Sequence, residues 1–260
     1  MWSAFVEEVA VLLQPNLIRI RRFRRWSQRL LHEETRSLLQ VSAGEIEAAG
    51  LDRATPASRG LPARAFISQD LCRLGWLRAP EGELSGSEAE TLVRSTSALG
   101  VTPGANRLAI QTEVMSRGIL FASVEQHVLE GLMKLLEATG MRLISARPLL
   151  APVVGGWLNS AVTRTAPMRH LIAIGAQSTC AFTAESGKLV NAARFVDAAM
   201  AGGTAARLTA ARISMNLTPD DHDVMVEQEQ LETFQSGTAA ANANAPGRLN
   251  KTFSDLYASL

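Results

Sequence analysis

The chain has 260 residues, enough for one large domain or two small ones, each with a buried core. Hydrophobic residues at 47% and charged residues at 20% exclude a disordered sequence. A formal net charge of +1 argues against a general nucleic-acid binder, which carries a strong basic excess.

The charge is unevenly spread. Six arginines fall between Arg19 and Arg29, while Asp220, Asp221, Asp223, Glu227, Glu229 and Glu232 gather later. Cys72 and Cys180 are far apart among apolar neighbours, the setting of buried free thiols. The first eight residues, MWSAFVEE, place no basic stretch ahead of an apolar one, so no signal peptide is expected. The longest nearly apolar run, Leu149 to Leu158, is broken by Pro152, Gly155 and Gly156. It reaches half of the roughly 20 residues a spanning helix needs, so no transmembrane segment is expected.

In chain order, Val9 to Leu13 reads as a short buried strand, and Gln14, Pro15 and Asn16 as a turn. Leu17 to Arg21 alternates apolar and charged residues, as a half-exposed strand does, which completes a hairpin. Arg24 to Leu31 fits a third strand, and Leu30 to Leu39 fits a helix equally well. Ser42 and Glu45 have the spacing of a capping box and predict a short helix ending at Gly50. A loop over 52–61 leads to a strand at Ala63 to Leu71, which Arg73 to Leu77 either continues or bends away from. Ser87 is expected to cap a helix reaching Leu99.

Strands follow at Arg107 to Thr112 and Ile119 to Ser123. The strongest helical pattern starts at Ser123: Val124, Val128, Leu132, Leu135 and Leu136 share one face, and Gly140 takes the C-cap position. Arg142 to Ala146 is a strand stopped by Pro148, and Leu149 to Val162 a helix. A hairpin pattern then returns. His170 to Ile174, Ser178 to Thr183 and Lys188 to Val196 are strands, joined by turns at Gly175–Gln177 and Glu185–Gly187. Thr204 to Met215 is a helix and His222 to Glu227 a strand, and 236–250 is small and polar, as in a linker or tail.

A three-stranded meander followed by helix, strand and helix, seen twice in one chain, resembles the duplicated ribonuclease-H-like unit of actin-like ATPases. Ala105 to Pro148, with LFASV at 120–124 and TGMRLISARP at 139–148, is similar to the cytoplasmic actin-like proteins of type IV pilus assembly (PilM-type). It is also similar to the cytoplasmic domain of the type II secretion L protein. LIAIGAQSTCAF at 171–182 and ESGKLV at 185–190 resemble the second-lobe hairpin of those proteins. The resemblance implies an α/β chain of two lobes with mixed five-stranded sheets. The lobes would be 1–104 and 165–235, with a connecting segment 105–164 and a tail 236–260.

Active members of that fold bind ATP with Mg between the lobes, through glycine-rich hairpins that each carry an Asp. Here the first turn, Gln14-Pro15-Asn16, has neither Asp nor Gly, and proline removes a donor. In the second, Gly175, Ser178 and Thr179 survive as a degenerate phosphate hairpin, and Ala173 stands at the Asp position. The expectation is therefore no cofactor and no catalysis. The chain would be a cytoplasmic scaffold, peripheral at the inner membrane, that docks a membrane-anchored pilus or secretion platform protein or the assembly ATPase. The alternative is an active ATPase or small-molecule kinase of the same superfamily.

Other constellations point to simpler roles. Gly202, Gly203 and Thr204 have the donors for an anion at a helix start but read as a helix entrance loop without a ligand. The cluster Asp220-Asp221-His222-Asp223 follows Pro219 and reads as a solvated turn rather than a metal site. His32, His127 and His170 are scattered, and no Walker, dinucleotide or nucleophile-elbow motif occurs. Arg19, Arg21, Arg22, Arg24 and Arg25 form the candidate partner or membrane surface, weighed against a strand edge charged to block aggregation.

Overall fold

Every position from Glu8 to Leu13 is buried, because β1 (Glu7–Leu13) runs through the middle of a sheet covered on both faces. In a computed structural model the chain is described at residues 7–24, 29–42, 45–48, 60–78, 84–96, 108–115, 117–196, 203–218 and 222–226. For 39–42, 45–48, 196, 225 and 226 the description is of the backbone only. Arg25, Gly202, Asp220, Asp221 and the expected tail at 236–260 lie outside the described residues.

The described residues form β2 (Leu17–Arg24), β3 (Arg29–Ser42), β4 (Glu45–Ala48), β5 (Leu61–Ile67), β6 (Cys72–Arg78), α1 (Gly86–Ser95), β7 (Leu108–Met115), β8 (Gly118–Glu125), α2 (Gln126–Ala138) and β9 (Met141–Pro148). There follow α3 (Leu150–Leu158), α4 (Ala161–Thr165), β10 (Arg169–Ile174), β11 (Ser178–Glu185), β12 (Lys188–Val196), α5 (Gly203–Met215) and β13 (His222–Val226).

The first sheet has six strands in the order β4-β3-β2-β1-β5-β9, and the second has four, β12-β11-β10-β13. In the first, β1 pairs antiparallel with β2 and parallel with β5. In the second, β10 pairs antiparallel with β11 and parallel with β13. The order β3-β2-β1-β5 thus recurs as β12-β11-β10-β13. This is the duplicated meander that the hairpin spacing predicts, although neither sheet has five strands among the described residues. A third sheet, β6-β8-β7, lies apart from the repeat.

The chain divides into two compact units that do not follow the expected linear boundaries. One gathers 1–72, 101–110 and 123–149, the other 73–100, 111–122 and 150–260. The segment 105–164 is therefore not a separate connection. β9 pairs parallel with β5, from Leu61 opposite Met141 to Ile67 opposite Pro148. A parallel pair needs a crossover, and everything from β6 to α2 is one long crossover between two neighbouring strands.

Two local expectations fail for identifiable reasons. The segment expected to be a helix from Ser42 contains β4, which pairs with β3 through Val41 opposite Ile46. Ser42 and Glu45 face each other across that pairing instead of closing a cap. Ser85, not Ser87, caps α1: its hydroxyl accepts from the Glu88 amide while the Glu88 carboxylate accepts from the Ser85 amide. These bonds hold the Glu88 carboxyl below the usual range.

In α2, Val128, Leu132 and Leu136 are buried on one face, and Gly140 has φ +78° just beyond the helix, as a C-cap glycine must. Cys72 and Cys180 are buried free thiols, as their neighbours imply. The turn between β11 and β12 has φ +49° at Ser186 and +77° at Gly187, the left-handed pair of a two-residue hairpin.

In the third sheet, aromatic rings occupy the space beside two glycines. The Phe121 ring packs on Gly75 and the Trp76 ring on Gly118. A Cβ on Gly118 would lie 2.6 Å from the Leu77 carbonyl oxygen, backbone that cannot swing away. We expect Gly118→Ala to destabilise the protein by about 1–3 kcal/mol, read as a lower urea midpoint at unchanged slope.

Candidate functional site

The repeated topology places two turns at equivalent positions, after β1 and after β10. Each is three residues long, Gln14 to Asn16 and Gly175 to Gln177. Each closes in the same way: the Gln14 amide donates to Leu17 O at 2.9 Å, and the Gly175 amide to Ser178 O at 2.8 Å. The first amide of each turn is thus spent on the hairpin, and in the first turn Pro15 has no donor. A polyphosphate with its cation needs free backbone donors and a carboxylate nearby. Neither turn carries a carboxylate, and each has lost its first donor to the hairpin.

The second turn has a further occupant. Arg207, five residues into α5, donates from Nη1 to Gly175 O at 2.6 Å. Ser178 and Thr179 are buried, 0% and 1% exposed, so they do not present hydroxyls to a ligand in solvent. Ala173 is fully buried as well. The two turns lack the carboxylate that a magnesium-nucleotide needs beside its phosphates, and a guanidinium lies on the carbonyl of the glycine that resembles a phosphate loop. Sequence spacing gave no signal for Arg207. Its position depends on α5 running antiparallel beneath β10, with Ala211 and Leu208 packed on Ile172, Ile174 and Val224.

The arginine run is not the outward surface expected of it. Arg19 and Arg21 are 5% and 2% exposed. Arg22 is half-buried and ion-paired with Glu7, Arg24 is exposed, and Arg25 lies outside the described residues. Alternation correctly puts Ile18 and Ile20 on one face and Arg19 and Arg21 on the other. However, β2 lies between β1 and β3, not at an edge, and both faces are covered. Arg21 Nη2 donates to Glu33 Oε1 at 2.9 Å, and Arg19 Nε lies 3.7 Å from the same oxygen. Burial pushes the Arg21 guanidinium down to about 10, against the pull of Glu33.

The Asp/His cluster is likewise structural where described. His222 is 1% exposed. Arg212 Nε donates to its Nε2 at 2.9 Å, which requires a neutral ring with its proton on Nδ1, and that proton goes to Thr218 O at 2.8 Å. Asp223 accepts from Trp157 Nε1 at 2.8 Å and from Arg169 Nε at 3.2 Å and Nη2 at 3.0 Å. Among the described residues, no three His, Cys, Asp or Glu side chains gather as a metal site.

Burial, and then the Arg212 and Arg169 charges, hold the His222 ring below the usual histidine value against the pull of Thr218 and Asp223. The unfolded chain therefore binds this proton more readily than the folded one. The His222 contribution to stability is complete above about pH 6.5 and declines as pH falls towards the lowered folded value. Urea denaturation at pH 7.5 and 5.5 should show a loss on acidification that His222→Gln reduces.

Two meanders of this kind, each with a parallel crossover beside its first strand, make an actin-like ATPase fold. Among solved structures, the cytoplasmic domain of EpsL, an inner-membrane component of the Vibrio cholerae type II secretion system, is similar at a TM-score of 0.56 and 9% identity. The alignment covers 97% of this chain and 94% of that one. A Bacteroides thetaiotaomicron protein with an actin-like ATPase fold and unknown function superposes at 0.52 with 9% identity, over 90% of this chain and 89% of that one. A PilM–PilN type IV pilus biogenesis complex aligns at 0.48 with 15% identity, over 81% of this chain and 66% of that one. No known family profile matches the sequence, and no curated protein sequence does. No helix of the described residues is long and apolar enough to cross a membrane.

Proposed function

We propose that this chain is a non-catalytic actin-like scaffold of a bacterial type IV pilus or type II secretion-like platform. It works at the cytoplasmic face of the inner membrane by docking a membrane-anchored partner or the assembly ATPase. One observation carries the non-catalytic part: the two equivalent turns have spent their first amides on their own hairpins, and the second holds Arg207 on its glycine carbonyl. Support for the docking part comes from the fold shared with the EpsL cytoplasmic domain over nearly the whole chain and from the hairpin and helix segments at 105–148 and 171–190.

The direct test is complex formation. The full chain would be mixed with the cytoplasmic segment of the membrane protein encoded beside it and run on size exclusion with light scattering. A stoichiometric complex is expected. Neighbouring genes without envelope components, together with no complex, would remove the reading.

A further inference from the structure

The register of the first sheet assembles arginines that are distant in sequence. Arg64 on β5 lies opposite Ala10 of β1, and Ala10 lies opposite Arg21 of β2. Leu12 joins Phe66 to Arg19 in the same way. Across the other side of β5, Pro62 lies opposite Arg142 and Phe66 opposite Arg147. Residues two apart on a strand share a face, so Arg19, Arg21, Arg64, Arg142 and Arg147 all lie on one side of the sheet. Glu33 and Glu8 answer them there among the described residues. Glu33 is taken by Arg21 and Arg19, and Glu8 by Arg64 at 2.5 Å.

Exposure rises along this face toward β9. Arg19 and Arg21 are buried, Arg64 is partly open, and Arg142 and Arg147 are exposed. Neither Arg142 nor Arg147 has an ion pair with a carboxylate among the described residues. β9 is also the outermost strand. It is paired with β5 on one side and with no other strand among the described residues on the other. An open strand edge offers backbone donors and acceptors, and exposed cations on one face of that edge select the charge of what is added.

We propose that the β9 edge binds an extended partner segment carrying carboxylates at alternate positions. Such a segment pairs its backbone with Met141–Pro148 and turns every second side chain toward Arg142 and Arg147. The buried Arg19 and Arg21 lie behind them on the same face and reinforce its field. A segment with its carboxylates in one block would send half of them to the opposite, apolar side, where Met141, Leu143 and Pro148 lie. The partner chemistry is therefore acidic and strand-forming.

The inference rests on the reading of the chain as a docking protein. The test uses the full chain and a fluorescent twelve-residue peptide alternating Glu and Thr, with a block peptide of the same composition as control. Fluorescence anisotropy should show the alternating peptide binding more tightly than the block peptide. Affinity should fall at least about tenfold on Arg142→Glu/Arg147→Glu, and steeply between low and moderate salt. The pair Arg142→Gln/Arg147→Gln guards against misfolding and should fall between the two, and amide exchange should slow in 141–148 on binding.

No binding of the alternating peptide, equal affinity for both peptides, or unchanged affinity in the variants would overturn the proposal. So would sedimentation with phosphatidylserine vesicles through these arginines in the absence of peptide binding, which would assign the face to a membrane. A complex with the neighbouring membrane protein's tail that survives both double variants would remove this surface and leave the docking reading intact.

Discussion

Replacing Trp157 by alanine is expected to cost about 3–5 kcal/mol, which for a chain of ordinary stability removes much of the folded population at 37 °C. Trp157 is 1% exposed and among the largest fully buried side chains. It sits on α3 and reaches across to β13, where its Nε1 donates to Asp223 Oδ2 at 2.8 Å. Deleting the ring leaves a cavity and frees an acceptor that also holds Arg169. Trp157→Phe separates the two effects. It keeps most of the volume and loses the hydrogen bond, and should cost about 1–2 kcal/mol. Chemical denaturation of the two variants checks both numbers, and equal costs would mean that the bond, not the packing, anchors α3.

Glu33→Ala should destabilise by about 3 kcal/mol, the lower end for breaking a buried ion pair, because its side chain keeps 29% exposure. The loss leaves Arg19 and Arg21 buried beside each other without this carboxylate. The sharper comparison is Arg21→Met combined with Glu33→Gln. Replacing a buried charged pair by groups that need no counter-charge is often neutral or stabilising. The double variant should therefore be more stable than Glu33→Ala, despite removing more charge. An additive loss in the double-mutant cycle would contradict the account of this network.

Much of the fold was legible because short-range chemistry dictates it. Apolar runs broken by Gln14-Pro15-Asn16, by Gly175 and by Ser186-Gly187 fix both meanders, since turn residues and a period of two act locally. The segment after Ser42 misled because a capping box and an edge strand can share the same polar residues. The partnership of β9 with β5 was not readable: parallel pairing joins residues about 80 apart, such as Ile67 and Pro148, and leaves no local mark. The arginine run was misplaced for a related reason. Alternation shows which side chains share a face, but not whether that face is covered. Arg207 was invisible because only the descent of α5 under β10 brings it to Gly175.

The claim on which the account depends is that neither turn can hold a nucleotide with its cation. A nucleotide binding the native state at 100 times its dissociation constant would add about 2.7 kcal/mol of stability. Thermal denaturation of the full chain with and without millimolar magnesium-ATP reads this directly. The account predicts superimposable curves. A clear upward shift that requires magnesium and is lost on excess chelator would contradict it and return the chain to the nucleotide-using members of its fold.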